Sequence, residues 1–315
     1  MQSPRSVQGF GEAAFFLKRG LLNMNKMYSN KWYIIIFLLP ALILFCGVLI
    51  APIGASGYFS FFDWNGFTEK TFIGFSSYKE LFTSDSIGFM KALGNSLLLA
   101  VLSVFLQLPL ALALALVLGK KIKGERAFLS VYFMPVLIST VVIGQLWLKI
   151  YNPDYGVLNV ALRAVGLDNL THIWLGEKAT ALGAVFVPIL WQYVGYHMLL
   201  LYAGVKSVPP ELREAAMLDG ASDGQVNRYI VLPYIKPIIK ISVIFAVTGS
   251  LKSFDLIYVL TNGGPLHATE VPSTLMISML FLRNRYGMGS TIAVLLIILC
   301  FAFALLINLV FKEED

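Results

Sequence analysis

Residues 209–233 read PPELREAAMLDGASDGQVNRYIVLP and separate two long apolar stretches. The opening prolines suit the first turn of a helix, and Glu211 and Glu214 suit the positive N-terminal end of its dipole. Gly220 suits the left-handed conformation in which many helices end. The sequence therefore predicts a short helix from Pro210 to Gly220, where a simple link between two membrane spans would need only a few residues.

One face of this predicted helix is shallow. Leu212, Ala215, Ala216 and Asp219 are spaced i, i+3, i+4 and i+7, so they share that face. The two alanines leave room for another backbone to approach closely. The face is therefore suited to docking a separate soluble protein.

A second short helix is predicted to follow the first. Ser222 and Gln225 have the S-x-x-Q spacing of a capping box, and Ile230 supplies an apolar anchor. Pro233 is expected to stop this helix before the next apolar stretch. Residues 206–236 are thus predicted to form a structured loop rather than a plain connection.

The rest of the chain has the composition of a protein dissolved in lipid. Of its 315 residues, 57% are hydrophobic and 13% are charged, whereas soluble domains carry about 25% charged residues. Six apolar stretches reach the roughly 20 residues that a membrane span needs, and none has the polar face that a soluble helix requires. We therefore predict an all-α integral membrane protein with about six transmembrane helices. The predicted spans are residues 33–53, 91–118, 128–150, 181–205, 237–260 and 288–311.

Basic residues orient these predicted spans. Fifteen Lys and Arg residues fall on one side of the membrane and eight on the other, and the positive-inside rule places the richer side in the cytoplasm. This assigns both termini to the cytoplasm, with residues 1–31 as an N-terminal segment and 312–315 as a tail. Residues 32–90 then hold the first span and an outer loop, and 91–311 the main transmembrane domain. The net charge of +6 reflects this orientation, and no nucleic-acid partner is predicted.

The loop motif matches a known pattern. Glu214-Ala215-Ala216, Gly220 and Ile230-x-Leu232-Pro233 read E-A-A-x3-G-x9-I-x-L-P. This string resembles the EAA loop of permease subunits in bacterial ATP-binding-cassette (ABC) importers, and its extension M-L-D-G-A resembles the sugar-importing branch that includes the maltose and glycerol-phosphate permeases. The resemblance covers the chain from about Trp32 and implies the type I ABC importer permease fold in the bacterial inner membrane. Further matching stretches are Phe62-Asp63-Trp64, Asn95-Ser96-Leu97, Tyr155-Gly156-Val157-Leu158-Asn159, LTNGGP at 260–265 and YGMGS at 286–290.

The resemblance also implies how the chain is driven. The EAA helix resembles the coupling helix that sits in a cleft of an ATP-hydrolysing subunit. Glu214 would make polar contacts in that cleft, Ala215 and Ala216 would allow the fit, Asp219 would share their face, and Gly220 would set the turn. ATP and Mg would be held by two such partner subunits and no cofactor by this chain, which has no Gly-x4-Gly-Lys-Ser/Thr phosphate loop. A second homologous permease, an extracytoplasmic sugar-binding protein, the sugar itself and membrane lipid complete the implied partners.

Polar groups within the fourth and fifth predicted spans mark a candidate substrate site, because polar side chains are costly inside a membrane. Sugars offer hydroxyl groups for hydrogen bonds and ring faces for aromatic contacts. The resemblance points to the same spans, although the maltose permease has amides where this chain has Ser250 and Ser253, so maltose itself is not favoured. Lys252 and Asp255 are alternatively a structural pair on one helix face. The predicted substrate-binding residues are Gln192, Tyr193, Tyr196, Ser250, Ser253 and Asp255.

Two other classes of protein fit the sequence less well. A secondary, ion-driven transporter would need buried carboxylates in several spans, and only Asp255 qualifies. A membrane-embedded enzyme would need paired carboxylates, a histidine cluster or a nucleophile with a base, and none converges. The two cysteines and three histidines have no metal-binding spacing. We therefore predict a non-catalytic transport subunit, with the ion-driven transporter as the alternative.

Overall fold

A computed structural model describes residues 31–120 and 122–311 of the chain. These residues form two compact units, 31–56 and 57–311. The predicted cytoplasmic segment up to residue 30 and the predicted tail 312–315 lie outside the described residues. Their assignment to the cytoplasm therefore stays a prediction.

The first unit is helical. Helix α1 (Lys31–Phe45) passes through a π-helical turn (Cys46–Ile50) into α2 (Ala51–Phe59). Residues 35–59 are long and apolar enough to cross a membrane. Since residues 35–55 are all exposed, this helix has the surface expected of a segment solvated by lipid.

A small structure with two strands and a helix follows α2. Strand β1 (Phe62–Asp63) pairs antiparallel with β2 (Thr71–Phe72), and α3 (Ser76–Thr83) completes it. The sequence predicted only connecting loops here. The remaining elements are α4 (Phe89–Leu102), a π-helical turn (Ser103–Gln107), α5 (Leu108–Leu118), α6 (Glu125–Leu137), α7 (Thr140–Ile150), α8 (Val157–Ala164), a 3₁₀ turn (Asp168–Leu170), α9 (Ala181–Ser207), α10 (Pro210–Leu218), α11 (Asp223–Val226), a π-helical turn (Asn227–Val231), α12 (Leu232–Tyr234), α13 (Lys236–Leu251), α14 (Asp255–Thr261), α15 (Pro272–Ile277), a π-helical turn (Ser278–Leu282) and α16 (Tyr286–Val310).

The third predicted span, residues 128–150, is not one straight helix. Its two halves, α6 and α7, meet at an angle of 96°. Ile138 and Ser139 have extended ψ values of 140° and 132°, which interrupts the helical hydrogen bonds between the halves. A count of apolar residues is the same for a straight and a bent segment, so the prediction missed the bend.

Ion pairs show that the bent helices α6 and α7 together cross the bundle once. Lys120, just after α5, lies 2.8 Å from Asp223 Oδ2. Glu125, which begins α6, lies 3.1 Å from Lys206 Nζ at the end of α9. The end of α5, the start of α6 and the end of α9 therefore share one end of the bundle.

The other end of α9 lies far from these contacts. A continuous helix of 27 residues is about 40 Å long, so Ala181 reaches the opposite end. The loop that leads there from α7 packs with it, because Leu175 and Leu182 join the same apolar cluster as Trp147. The α6–α7 pair therefore forms one span. With the five other apolar helices, the described residues have six spans, as predicted.

The fifth predicted span, residues 237–260, is also interrupted. Helix α13 ends at Leu251 and α14 begins at Asp255, with Phe254 at φ −143° and ψ −62° between them. Lys252 and Asp255 therefore do not share one helix face, and among the ion pairs of the described chain none joins them. The structural pair offered as the alternative role for these two residues is wrong.

The loop 206–236 has the predicted pair of helices with one difference. Helix α10 covers Pro210–Leu218, and Gly220 has φ +85°. The Ser222–Gln225 capping box is present at the start of α11. Pro233 lies inside this second helical segment and not after it, because the helical backbone continues from α11 through the π-helical turn to Tyr234.

Candidate functional site

A cavity of about 400 Å³ lies inside the second unit. Its walls come from α4 and the following π-helical turn, the α6–α7 junction, α9, and the α13–α14 junction. All six residues predicted to bind substrate line this cavity, although they come from two separate stretches of sequence. They are Gln192, Tyr193 and Tyr196 on α9, with Ser250, Ser253 and Asp255 at the α13–α14 junction.

Aromatic rings form part of the cavity wall. Tyr196 on α9 faces Phe245 on α13, with ring centroids 6.3 Å apart. Tyr193 and Phe254 line the cavity as well. Such rings offer flat apolar faces, and the tyrosines add a hydroxyl that can donate or accept a hydrogen bond.

Two buried polar side chains in the wall have atoms without partners. Gln192 is 2% exposed and His197 4% exposed. Gln192 Oε1 and His197 Nδ1 have no hydrogen-bond partner among the described residues. Buried polar groups are nearly always paired, so these two atoms are exceptions within side chains that line the cavity.

His197 was not among the predicted site residues. It lies four residues after Tyr193, so the two share one face of α9. A lone histidine within an apolar span is a usable sequence signal, since ionisable residues there mark a function by default.

The second apolar helix contributes cavity residues that the sequence reasoning also missed. Ser103 and Gln107 bound the π-helical turn and are buried. Ser103 Oγ lies 3.2 Å from Ser250 Oγ, and Gln107 Nε2 donates to Leu190 O at 2.9 Å. These bonds join the turn to α13 and α9. π-Helical turns concentrate at functional sites, but no sequence pattern announced this one.

Two charged residues lie at the edge of the cavity. Lys252 and Asp255 flank the break between α13 and α14, and both are exposed. Their charges are free to meet solvent or a ligand in the cavity. Asp255 thus occupies its predicted place, and Lys252 joins it.

The helix α10 presents a separate surface. None of its residues is buried, and Leu218, at its end, is 88% exposed. Glu214 has no ion pair within the described chain. Ala216 alone packs against the apolar core beneath it. An exposed face with an unpaired carboxylate and apolar side chains is suited to contact another protein.

A metal centre would be a further kind of site in the described residues. The described residues contain no group of three or more His, Cys, Asp or Glu side chains placed to hold a metal ion. What remains is a polar cavity among membrane-spanning helices and an exposed helix at one end of the bundle.

These features are those of a membrane transport subunit. The chain belongs to the family described as the inner membrane component of binding-protein-dependent transport systems, whose model matches residues 107–312. The resemblance stated from the EAA loop is thereby confirmed.

Relatives with assigned names agree with this family. The chain is 41% identical over 295 residues to a probable ABC transporter permease protein, YurN, of Bacillus subtilis, covering 93% of this chain and 98% of that one. It is 33% identical to NgcF of Streptomyces coelicolor, a diacetylchitobiose uptake permease, covering 90% and 83% of the two chains. It is also 33% identical to MsmF of Streptococcus mutans, a permease of a multiple sugar-binding transport system, covering 86% and 92%.

The fold matches solved importer structures. A chain of a bacterial ABC transporter that imports the polysaccharide alginate superposes with a TM-score of 0.79 at 24% identity, covering 94% of this chain and 99% of that one. A chain of the alginate transporter in complex with its pentasaccharide-bound periplasmic protein gives 0.77 at 24% identity, covering 90% and 95%. The predicted type I ABC importer permease fold is confirmed.

Proposed function

We propose that this chain forms half of the transmembrane pathway for uptake of a sugar, of di- or oligosaccharide size. The observation that carries the proposal is the cavity between α9 and the α13–α14 junction. It combines tyrosine rings with polar side chains in its wall, among them Gln192, Ser253 and Asp255. Sugar hydroxyls can satisfy such groups, and sugar ring faces can lie against the aromatics.

The volume of the cavity fits this class of ligand. About 400 Å³ lies within the range of roughly 300–1,000 Å³ found for small-molecule sites. The chain has Ser250 and Ser253 where the maltose permease has amides, so another sugar than maltose is favoured. Relatives named for diacetylchitobiose and for multiple sugars support the cargo class.

The helix α10 is proposed to receive an ATP-hydrolysing partner. Glu214 supplies an unpaired charge and Ala215 keeps the exposed surface shallow, whereas Ala216 packs against the core beneath the helix. Asp219 and Gly220 end the helix. ATP and Mg would be held by two partner subunits. Movement of the docked α10 would then switch the spans between inward-facing and outward-facing arrangements.

The remaining partners follow from the same proposal. A second, homologous permease would supply the other half of the pathway. An extracytoplasmic sugar-binding protein would deliver the cargo to the outer loops, residues 68–91 and 152–180. Both termini would lie in the cytoplasm of a bacterial cell, with α10 on the same side.

Sugar uptake by the reconstituted complex tests the proposal. Proteoliposomes that contain this chain with its co-expressed partners are supplied with ATP and a radiolabelled panel of trehalose, maltose, diacetylchitobiose and xylose. We expect ATP-dependent uptake of at least one di- or oligosaccharide, and ionophores should not abolish this uptake. Uptake driven by an ion gradient without ATP would favour the secondary transporter. If no sugar is taken up but a solute of another class is, the proposal that the cargo is a sugar is rejected.

Two substitutions test the cavity within that experiment. Gln192→Leu should lower sugar uptake about tenfold, because it removes a hydrogen-bonding group worth roughly 1 kcal/mol or more. Gln145→Leu is the matched control, since Gln145 is an exposed glutamine on α7 that does not line the cavity. Equal uptake by the two variants would contradict the assigned role of Gln192.

The docking role of α10 has its own test. Glu214→Lys reverses a charge on an exposed helix face, so the chain should still reach the membrane. We expect the ATP-hydrolysing subunit to dissociate, or its hydrolysis to lose its stimulation by the loaded binding protein. Normal sugar uptake by Glu214→Lys would refute the docking role.

A further inference from the structure

A side-chain hydrogen bond connects the docking helix α10 to helix α9 of the membrane domain. Arg213, in the first turn of α10, donates a hydrogen bond from Nη2 to the backbone carbonyl of Val205. Arg213 is only half-buried, yet its Nε is buried without a hydrogen-bond partner in the described chain. Its guanidinium group therefore lies against the protein, while its neighbour Glu214 is exposed.

The accepting carbonyl belongs to the last turn of α9. The final four carbonyls of a helix have no partner within it. Here Ser207 Oγ donates to Gly204 O at 2.8 Å, and Arg213 satisfies Val205. A positive charge at this end of α9 is also favoured by the helix dipole. Arg213 thus serves as a C-terminal cap for α9, supplied by α10.

The joint that this bond spans is short and stiff. Only Val208 and Pro209 lie between α9 and α10. Val208 is buried, and Pro209 and Pro210 each have φ fixed by the proline ring. Because the Arg213 bond closes across this joint, α10 and the end of α9 form one corner.

The opposite side of the same helix end is tied to α6. Lys206 Nζ lies 3.1 Å from Glu125 Oε1, and Tyr202 donates a hydrogen bond to the same carboxylate. Gly204 lies so close to α13 that an added Cβ would come within 2.6 Å of Ile238 Cδ1. The end of α9 therefore contacts α6, α13 and α10, and only the Arg213 bond connects it to the docking helix by a side-chain hydrogen bond.

α9 extends from this corner to the cavity. His197 lies eight residues before Val205, and Gln192 thirteen, which at 1.5 Å per residue is about 12 and 20 Å along the axis. The helix is continuous over this length. A rotation of its end is therefore carried to the cavity wall.

We propose that Arg213 fastens α10 to α9 as one rigid corner, so that displacement of the docked α10 turns α9 and reshapes the cavity. This rests on the proposed function, in which an ATP-hydrolysing partner displaces α10. Arg213 acts here as a positioning residue, because it contacts neither the cavity nor the exposed face of α10. Without it, α10 is held to α9 only by the short joint and the packing of Ala216, so that less of its displacement reaches α9.

The test follows the cavity directly in the assembled complex. Cys46 and Cys300 are replaced by serine, and Thr248→Cys, which lines the cavity, is labelled with an environment-sensitive fluorophore. ATP is then added, and the fluorescence change is measured alongside ATP hydrolysis and co-purification of the ATP-hydrolysing subunit. No transported sugar is needed.

Three variants of this complex separate the possible results. Arg213→Gln should retain the partner and its basal hydrolysis but lose at least four-fifths of the ATP-driven fluorescence change. Arg213→Lys should respond between Arg213→Gln and the wild type, because lysine keeps the charge without the planar fork. Arg228→Gln removes an exposed positive charge from the same loop and should match the wild type.

A full fluorescence change in Arg213→Gln would overturn the proposal. Loss of the partner from Arg213→Gln, but not from Arg228→Gln, would also overturn it, since Arg213 would then be a docking contact. If Arg213→Gln does not fold into the membrane at all, a full wild-type fluorescence change in Arg213→Lys would overturn the proposal instead. Failure of the wild-type chain to retain any ATP-hydrolysing subunit would instead reject the proposed function.

Discussion

At the scale of single residues, the closest approach between α6 and α9 depends on Gly195. A Cβ added at this position would lie 1.8 Å from the backbone oxygen of Tyr132. The two helices can pack only because glycine has no side chain. Replacement would force the backbones apart and open the wall beside the cavity.

We therefore expect Gly195→Ala to destabilise the protein by more than the roughly 1–3 kcal/mol typical of overpacking. The measurement is thermal unfolding in detergent, followed by the loss of the monodisperse peak in size-exclusion chromatography. Gly183→Ala, in the same helix, is the control, because its Cβ would meet nothing within 4 Å. Equal transition temperatures for the two variants would contradict the close packing.

His197 gives a prediction in which stability and binding change in opposite directions. The side chain is buried with Nδ1 unpaired, so His197→Phe removes a desolvated polar group without losing a protein hydrogen bond. Stability should be unchanged or higher, whereas sugar affinity should fall by about 2- to 13-fold, as for one net hydrogen bond. A variant that loses both equally would indicate that His197 only packs.

The sequence identified cavity residues where a polar group breaks an apolar stretch. Gln192 and Ser250 were found in this way, because a buried polar side chain must have a partner or a function. Ser103 and Gln107 were missed, although they are also polar residues within a span. Their place in the cavity depends on a π-helical turn, and its extra residue shifts the helix faces in a way that apolar periodicity does not reveal.

At the scale of elements, the loop before α9 is organised around one carboxylate. Glu177 Oε1 accepts a hydrogen bond from the Ile173 backbone N–H, and Oε2 lies 2.9 Å from His172 Nδ1. The Ile173 bond lowers the pKa of Glu177 below its ordinary value; His172 adds to this, and partial desolvation opposes it. A carboxylate with a lowered pKa stabilises the folded loop above its ordinary pKa, and this is lost as pH falls through the lowered pKa.

We expect hydrogen exchange at the Ile173 amide to show this loss. Protection of the amide should be constant above about pH 5 and should decrease as the medium is acidified further, after correction for intrinsic exchange. In Glu177→Gln the pH-dependent decrease should disappear. An acid-induced decrease that persists in this variant would assign it to another group.

The breaks between elements were the part of the fold that the sequence did not predict. The apolar stretch 128–150 gives no sign of the bend at Ile138 and Ser139, since both suit a helix or an extended chain. The break at Lys252–Phe254 likewise contains no proline or glycine. Tertiary packing decides these positions, because α7 and α14 gain partners only when the chain turns there.

At the scale of the whole molecule, topology follows from which loops meet. The bond between Lys120 and Asp223 requires that α6 and α7 together cross the membrane. We predict that residues 154 and 224 lie on opposite sides. In a background without Cys46 and Cys300, Asp154→Cys should react with a membrane-impermeant maleimide in intact spheroplasts, and Gly224→Cys only after permeabilisation.

Labelling of both cysteines in intact spheroplasts would contradict this topology and would make the α6–α7 pair a re-entrant hairpin.

The number of spans was predictable, because each crossing leaves about 20 apolar residues in the sequence. Their arrangement was not, since loop contacts such as Glu125 with Lys206 join residues far apart along the chain.

The bend between α6 and α7 also constrains how the chain is made. At 13 and 11 residues, these helices are about 20 and 17 Å long, so neither alone spans a hydrocarbon core of about 30 Å. Non-helical backbone at membrane depth is tolerated only where protein covers it or it lines a water-filled cavity. Residues 137–139 at the junction are exposed in this chain by itself, so we expect the pair to settle in the lipid only after a neighbouring subunit has covered them.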